Sequence, residues 1–426
     1  MTSSGKFATR PGALVVGGAH GGLAVARSLG RHGIPVFFLT HDNRITRYSR
    51  YTTSSAVWGG PERPHAANDL LRIGHDHRLE GCVLFPGGDA EVQLIAQNHA
   101  KLAASFRVTT PDWETSKWAL DKRLTYQHAA SLGIDSPRSF YPRSRMDVVR
   151  LESRFPLVLK PATRNSVNAF TLAKAWQVND RSALLDAYDQ AVALVGHDGI
   201  VFQELIVGGG ETQFSYAAVW DHGRPVASLV ARRARQYPIN FGFTSTLVES
   251  VDCPDVAAAG EKFLKALDYS GIAEVEFKFD ERDRRYKILD VNARTWTWAA
   301  LGGAAGVDFP YMLWQLAVGE GVIPARGRAG ATWMHVSRDF VAACQEMAIG
   351  RTTPAAYVKA FGRPLVFAAF AADDPLPGLM DLPLLVARLI TRRLPSMARR
   401  LGQWLPRAFA RLRGSISRLY HGHRAY

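Results

Sequence analysis

The sequence predicts an α/β protein, and three stretches carry that prediction. Near the N-terminus, Ala13 to Leu39 reads as a β-α-β unit. In the middle of the chain, short β-branched and aromatic runs alternate with segments of helical period. Later, Ile272 to Arg294 reads as a hairpin whose apolar positions alternate with oxygen-bearing ones. With 426 residues there is room for two or three domains and a large core. The composition, 47% hydrophobic and 21% charged, is that of an ordinary globular protein. Cys82, Cys253 and Cys344 have no paired spacing. That argues against a disulfide framework or a zinc finger, fits a reducing compartment, and leaves each as an expected small core residue. The first residues lack the run of a signal peptide, and no apolar segment reaches the ~20 residues of a membrane span. The cytoplasm is the expected location. A formal net charge of +14 points to acidic partners without choosing among nucleotides, anionic lipid and nucleic acid.

In chain order, the strand at Ala13–Gly17 runs into GGAHGG, a helix from about Leu23 to Arg31, and a second strand from Ile34 to Leu39. The glycines permit a tight strand-to-helix turn, but their spacing is not GxGxxG and no acidic residue closes the second strand. A structural turn is therefore preferred over a dinucleotide site. Asp89 falls at the start of a later helix, where a carboxylate offsets the dipole; a cap is expected there rather than a catalyst. From Thr115 to Gly133 one helix is predicted, with Lys122 on it. Phe155 to Lys160 is a strand, Thr163 to Asn168 a polar loop, and Phe170 to Val178 another strand. Arg181 to Val195 has the pattern of an amphipathic helix, and Ile200 to Ile206 that of a strand leading into GGGE with Glu211. Gln213–Trp220 and Pro225–Arg232 form a predicted hairpin, followed by a loop from Arg232 to Thr246.

The hairpin at Ile272–Arg294 carries more oxygen than a hairpin needs. Asp290 and Asn292 are two apart in extended chain, so they share a face, and pairing brings Glu276 beside them. Two carboxylates and an amide suit Mg²⁺, which binds a few carboxylates together with nucleotide phosphates. Arg294, on the same face, adds a fixed cation. On these residues alone, a solvated acidic hairpin explains the pattern equally well.

Taken in order, Lys122, LVLKP with Lys160, QELIVGGGE with Glu204 and Glu211, EVEFKFD…YKILDVNAR and GVDFPYMLWQLAVGE resemble an ATP-grasp ligase domain. They are most similar to its carbamoyl phosphate synthetase and carboxylate–amine ligase branch. The resemblance implies an α+β ATP-grasp organisation: a small Rossmann-like domain over 11–114, a two-lobed ATP-grasp domain over 115–322, and a basic helical extension over 323–426. It implies ATP and Mg²⁺ (or Mn²⁺) as cofactors. Lys122 and Lys160 would hold phosphates, the backbone at Glu204 and Leu205 the adenine edge, and Glu211 the ribose. Glu276, Asp290 and Asn292 would hold the metal, and Arg294 the transferred phosphoryl group. Arg232, Arg233 and Arg235 stand where an acidic substrate would be gripped, although a solvated loop serves equally. The sequence departs from the family in having no glycine in ATRNSVNAF, the stretch that would cover the phosphates, and in placing Asp290 where relatives often have glutamate.

The function so implied is an ATP-dependent ligase that phosphorylates a carboxylate and joins it to an amine. The alternative is a nucleotide-binding regulatory protein of the same fold without turnover; the complete oxygen set favours the ligase. An oxidoreductase reading rests only on the N-terminal glycines. Expected partners are a small carboxylate and a small amine, with a homodimer and peripheral contact of the basic tail with anionic membrane also considered, and no specific nucleic acid. From Thr391 to Tyr426 the tail has nine arginines and no acidic residue. Its prolines and glycines favour packing over a continuous interfacial helix.

Overall fold

The computed structural model of the chain describes residues 10–162, 168–173, 175–239, 242, 244–362 and 364–388. Its first sheet contains β1 (Ala13–Val16), β2 (Val36–Thr40), β3 (Ser54–Val57), β4 (Val83–Pro86) and β5 (Arg107–Val108). The order is β3-β2-β1-β4-β5, parallel throughout. β1 and β2 are buried along their whole length, which is why both read as unbroken apolar runs. The strand order reverses between β1 and β4, and glycines fill that point. A Cβ on Gly87 would lie 2.3 Å from the Gly18 Cα, so the turns after β1 and β4 pack backbone on backbone. Gly17 and Gly18 also take φ of 75° and 92°, a region that favours glycine.

The small lobe is an antiparallel sheet of β6 (Ser139–Phe140), β7 (Leu157–Pro161), β8 (Trp176–Val178) and β9 (Ile200–Glu204), ordered β6-β9-β7-β8. Helix Arg181–Val195 buries Leu184, Tyr188 and Ala191 in the same core as the β7 residues Leu157 and Leu159.

The large lobe is built on β10 (Gln213–Asp221), β11 (Arg224–Tyr237), β12 (Thr244–Ser250), β13 (Gly271–Asp280) and β14 (Arg285–Asn292). Three short strands enlarge it: β15 (Ala325–Arg326), β16 (Thr332–Met334) and β17 (Leu365–Phe367). The order is β14-β13-β10-β11-β12-β16-β17, with β15 on β11. Alternation along β10 sends Tyr216, Ala218 and Trp220 to one core, shared with helix Pro254–Lys265. Ala217 and Val219 go to the other, with Trp296, Trp314 and β1. The first sheet and the large sheet therefore share one core. Arg27, Ser49 and the Arg50 N–H all donate to the buried Asp374 carboxylate, which ties the segment after β17 to the first sheet.

Several elements differ from the sequence expectation. The helix predicted from Thr115 to Gly133 is two helices, Trp113–Leu120 and Lys122–Ser131, because Asp121 turns extended and caps the second through the Arg123 N–H. Phe170–Val178 is not one strand: helix Ala169–Ala173 precedes the short β8. Arg232, Arg233 and Arg235 lie in a long strand, β11, rather than in a loop. Cys344 is exposed, whereas Cys82 and Cys253 are buried. Most of the glycine-free loop, 163–167, and the basic tail beyond 388 lie outside the described residues. A compact unit runs to Pro377; the described part of the next, 378–388, is helical. Among the described residues no helix is long and apolar enough to cross a membrane.

Candidate active site

A cleft of about 550 Å³ is lined from the small lobe by Lys160 and Gln203 and from the large lobe by Glu276 and Asn292. Of the residues expected from the sequence, Lys122, Lys160, Glu204, Leu205, Glu211, Arg233, Glu276, Asp290, Asn292 and Arg294 line it; Arg232 and Arg235 do not.

The register of β13 on β14 forms its floor. Glu276 pairs with Asp290 and Glu274 with Asn292, and a register shift follows Glu276. Asp290 is bound by Lys122, the first residue of its helix, which the break at Asp121 aims across the cleft. Glu276 Oε2 accepts from Gln213 Nε2 at 2.7 Å and lies 3.5 Å from Arg233 Nη2. Asn292 Nδ2 donates to Glu276 Oε1 and to Glu274 Oε2, both at 3.0 Å. Its Oδ1 accepts from Arg294 Nη2 at 2.9 Å. Arg294 Nε donates to Asp89 Oδ1 at 2.6 Å, so Asp89, in the first turn of helix Asp89–Gln97, holds this arginine as well as facing the dipole.

On the small-lobe side, Lys160 Nζ donates to Gln203 Oε1 at 2.6 Å. The Glu204 carboxylate accepts from the Arg138 N–H, Arg282 and Lys287, so its side chain is engaged away from a ligand. The Leu205 N–H donates to the Pro156 carbonyl at 3.4 Å. Glu211 is exposed on the rim and accepts from the Gly209 N–H.

Arg232 pairs with Glu249, and Arg235 makes a bidentate pair with Asp339. The sequence placed all three arginines in one substrate loop; the structure brings only Arg233 to the cleft. The reason is a bulge. Arg233 faces Val248 and Arg235 faces Leu247, so the intervening residue is extra and alternation is broken.

Glu274 and Lys278 are among the cleft residues not singled out from the sequence. Glu274 precedes Glu276 by two and shares its face, a signal the period of the strand contains. Burial first, then the neighbouring Glu276, raises its carboxyl above the ordinary range. Lys278, on the same face, lines the cleft with its ammonium pKa lowered by burial, and donates to the Gly208 carbonyl at 2.7 Å.

Glu276, Asp290 and Asn292 offer only oxygen ligands, from adjacent strands, with two negative charges, and so fit a hard divalent cation. Each acid is now matched to a cation, Asp290 to Lys122 and Glu276 to Arg233. A metal–phosphate pair entering the cleft can take both halves of the Asp290–Lys122 pair, the carboxylate to the metal and the ammonium to phosphate.

A Rossmann-like sheet followed by two lobes that close on a cleft is the ATP-grasp fold. No family model matches the chain. D-aspartate ligase of Enterococcus faecium (strain Aus0004) is 22% identical over 266 residues, 58% of this chain; the match spans 62% of that enzyme's length. The structure of an L-amino acid ligase from Bacillus licheniformis superposes with a TM-score of 0.58 at 16% identity, covering 76% of this chain and 80% of that one. A biotin carboxylase from Campylobacter jejuni, in a complex with β,γ-ATP, gives 0.58 at 14% identity, covering 75% and 74%. The likeness reaches both ligases and carboxylases, so the fold does not single out the carbamoyl phosphate synthetase and carboxylate–amine ligase branch.

Proposed function

We propose that this chain is an ATP-dependent carboxylate–amine ligase, with the labour divided among residues 11–114, 115–322 and 323–426 as the sequence suggests. The observation that carries the proposal is the convergence, in one cleft, of two lysines from different lobes with the Glu276–Asp290–Asn292 oxygen set and Arg294. Similarity to enzymes named D-aspartate ligase and L-amino acid ligase supports the C–N bond-forming reading and an amino acid among the substrates.

In this reading Lys122 and Lys160 bind the phosphates of ATP, Glu211 the ribose, and the backbone at Glu204–Leu205 the adenine edge. Glu276, Asp290 and Asn292 hold Mg²⁺ or Mn²⁺, which neutralises phosphate charge when bound. A substrate carboxylate oxygen attacks the γ-phosphorus, and the bond to the ADP oxygen breaks. Arg294 stabilises the charge that spreads over the transferred phosphoryl group. The amine nitrogen then attacks the acyl carbon, phosphate leaves, and the nitrogen sheds a proton. Arg233, which Gln213 Oε1 holds at the cleft wall at 2.9 Å, would bind the anionic substrate. No side chain of the protein becomes a covalent intermediate, so positioning supplies most of the rate.

ADP release should be measured with Mg²⁺-ATP against a panel of acids and amines that includes both enantiomers of aspartate. ADP formation that requires an acid, with hydroxylamine trapping the activated acid as a hydroxamate, is the expected result. Nucleotide binding without turnover for every acid–amine pair in the panel would favour the regulatory alternative.

A further inference from the structure

We propose that Glu274 is a positioning residue that sets the amide of Asn292 so that its oxygen, and not its nitrogen, faces the metal position. The inference rests on the metal–nucleotide reading above and adds a residue to it.

Glu274 is 2% exposed, yet it sits on the cleft face of β13. Its Oε1 accepts from Ser215 Oγ at 2.8 Å and from Trp298 Nε1 at 3.1 Å; its Oε2 accepts from Asn292 Nδ2 at 3.0 Å. A buried carboxylate is costly unless its lone pairs are satisfied, and here three chain segments supply the donors. An amide nitrogen has two hydrogens. Those of Asn292 go to two carboxylates, Glu274 Oε2 and Glu276 Oε1. The amide oxygen is left to the Arg294 guanidinium and the cleft. Turned over, the amide would aim its oxygen at two carboxylates and its nitrogen at a guanidinium, and both contacts would be repulsive.

Glu276 alone cannot enforce this orientation once it turns toward a metal, because its oxygens are then shared. Glu274 is fixed from behind by Ser215 and Trp298 and has no such second task. Partners behind a ligand that orient it commonly account for ~10–100-fold in metal affinity.

Glu274→Gln is nearly isosteric and tests the inference directly. Its amide oxygen would keep the Ser215 and Trp298 bonds, which turns its NH₂ onto the Asn292 NH₂. That donor–donor contact is relieved by Asn292 turning over. Mn²⁺ affinity should be measured by electron paramagnetic resonance on the full chain, with a non-hydrolysable ATP analogue bound. Nucleotide affinity in EDTA and the thermal midpoint are measured alongside.

The expected result is Mn²⁺ binding weaker by about 10–100-fold, with metal-free nucleotide affinity unchanged. In an Asn292→Ala background the Glu274→Gln change should add almost nothing, because the two act through one amide. Equal losses in both backgrounds, or unchanged Mn²⁺ affinity in a folded Glu274→Gln, would overturn the proposal. Trp298→Phe removes one support but keeps the charge. It should weaken Mn²⁺ by about two- to five-fold, a fraction of the whole effect; should the glutamine variant not fold, unchanged affinity in Trp298→Phe overturns the proposal in its place. A wild-type protein that binds the nucleotide but no Mn²⁺ would overturn the metal reading itself, a different failure from that of Glu274.

Discussion

Arg235 and Arg233 are two residues apart, and opposite tasks are proposed for them: a structural ion pair for Arg235, substrate binding for Arg233. Arg235 Nε and Nη2 bind Asp339 Oδ1 and Oδ2 at 3.0 and 2.8 Å, and the Arg235 guanidinium lies 5.2 Å from the centre of the Tyr357 ring. The two side chains are 8% and 0% exposed. Arg235→Ala leaves a carboxylate buried without its cation, a change that typically costs about 3–5 kcal/mol. Asp339 also lies in the first turn of helix Val336–Ala348, where the dipole offsets part of its charge. The loss should therefore fall near the lower end, about 3 kcal/mol. Chemical denaturation followed by tryptophan fluorescence measures it. Replacing both partners with apolar residues, Arg235→Met with Asp339→Leu, should recover most of the loss, because no unpaired charge remains. Arg233→Ala should raise the KM for the acid and cost less stability than Arg235→Ala, because Glu276 lines the open cleft and keeps its bonds from Gln213 and Asn292. An Arg235→Ala protein that denatures like wild type but has a raised acid KM would refute this division.

Two further changes test the junction of the first sheet with the cleft. Asp89→Asn keeps a hydrogen bond to Arg294 but removes the charge; kcat should fall about 10- to 100-fold through misplacement of Arg294, with ATP affinity little changed. Glu91 is buried, and desolvation first, with Asp89 adding, pushes its carboxyl up to about 7 from an ordinary 4.5. The folded state thus holds the proton more tightly than the unfolded chain. The stability this brings is fully present below pH 4.5 and is lost as pH rises through about 7. Glu91→Gln should abolish that loss and be more stable than wild type at pH 8 by on the order of 3 kcal/mol, with a far smaller gain at pH 5. Urea denaturation at both pH values checks it, and an equal gain at both would contradict the burial argument.

Local pattern carried much of this site. Strand alternation put Asp290, Asn292 and Arg294 on one face, and on β13 the alternation that places Glu276 reaches Glu274 two residues earlier. Residues 13–39 announced a parallel sheet because buried strands read as apolar runs. What local pattern could not carry was long-range or irregular. The bulge between Arg233 and Arg235 depends on register with β12, so three neighbouring arginines read as one group when they meet three different partners, Glu249, Glu276 and Asp339. Lys122 and Asp290 are 168 residues apart, and no property of either announces the pair. The Asp89–Arg294 contact crosses 205 residues, and the helix-cap reading of Asp89, sound locally, missed it. β16 and β17 are three residues each, too short to show a period, and they owe their place to the edge left open by β12.

The most direct test of the central claim is calorimetric titration of ATP into the protein, with Mg²⁺ and with EDTA, for wild type and Asp290→Asn. Neutralising Asp290 removes a proposed metal ligand and also breaks its ion pair with Lys122. Wild type should bind ATP more tightly with Mg²⁺ than without. Asp290→Asn should lose most of that difference while holding or improving its metal-free affinity. Affinity that is independent of Mg²⁺ in wild type, or unaffected by the substitution under both conditions, would contradict the assignment of the β13–β14 floor as the metal–nucleotide site.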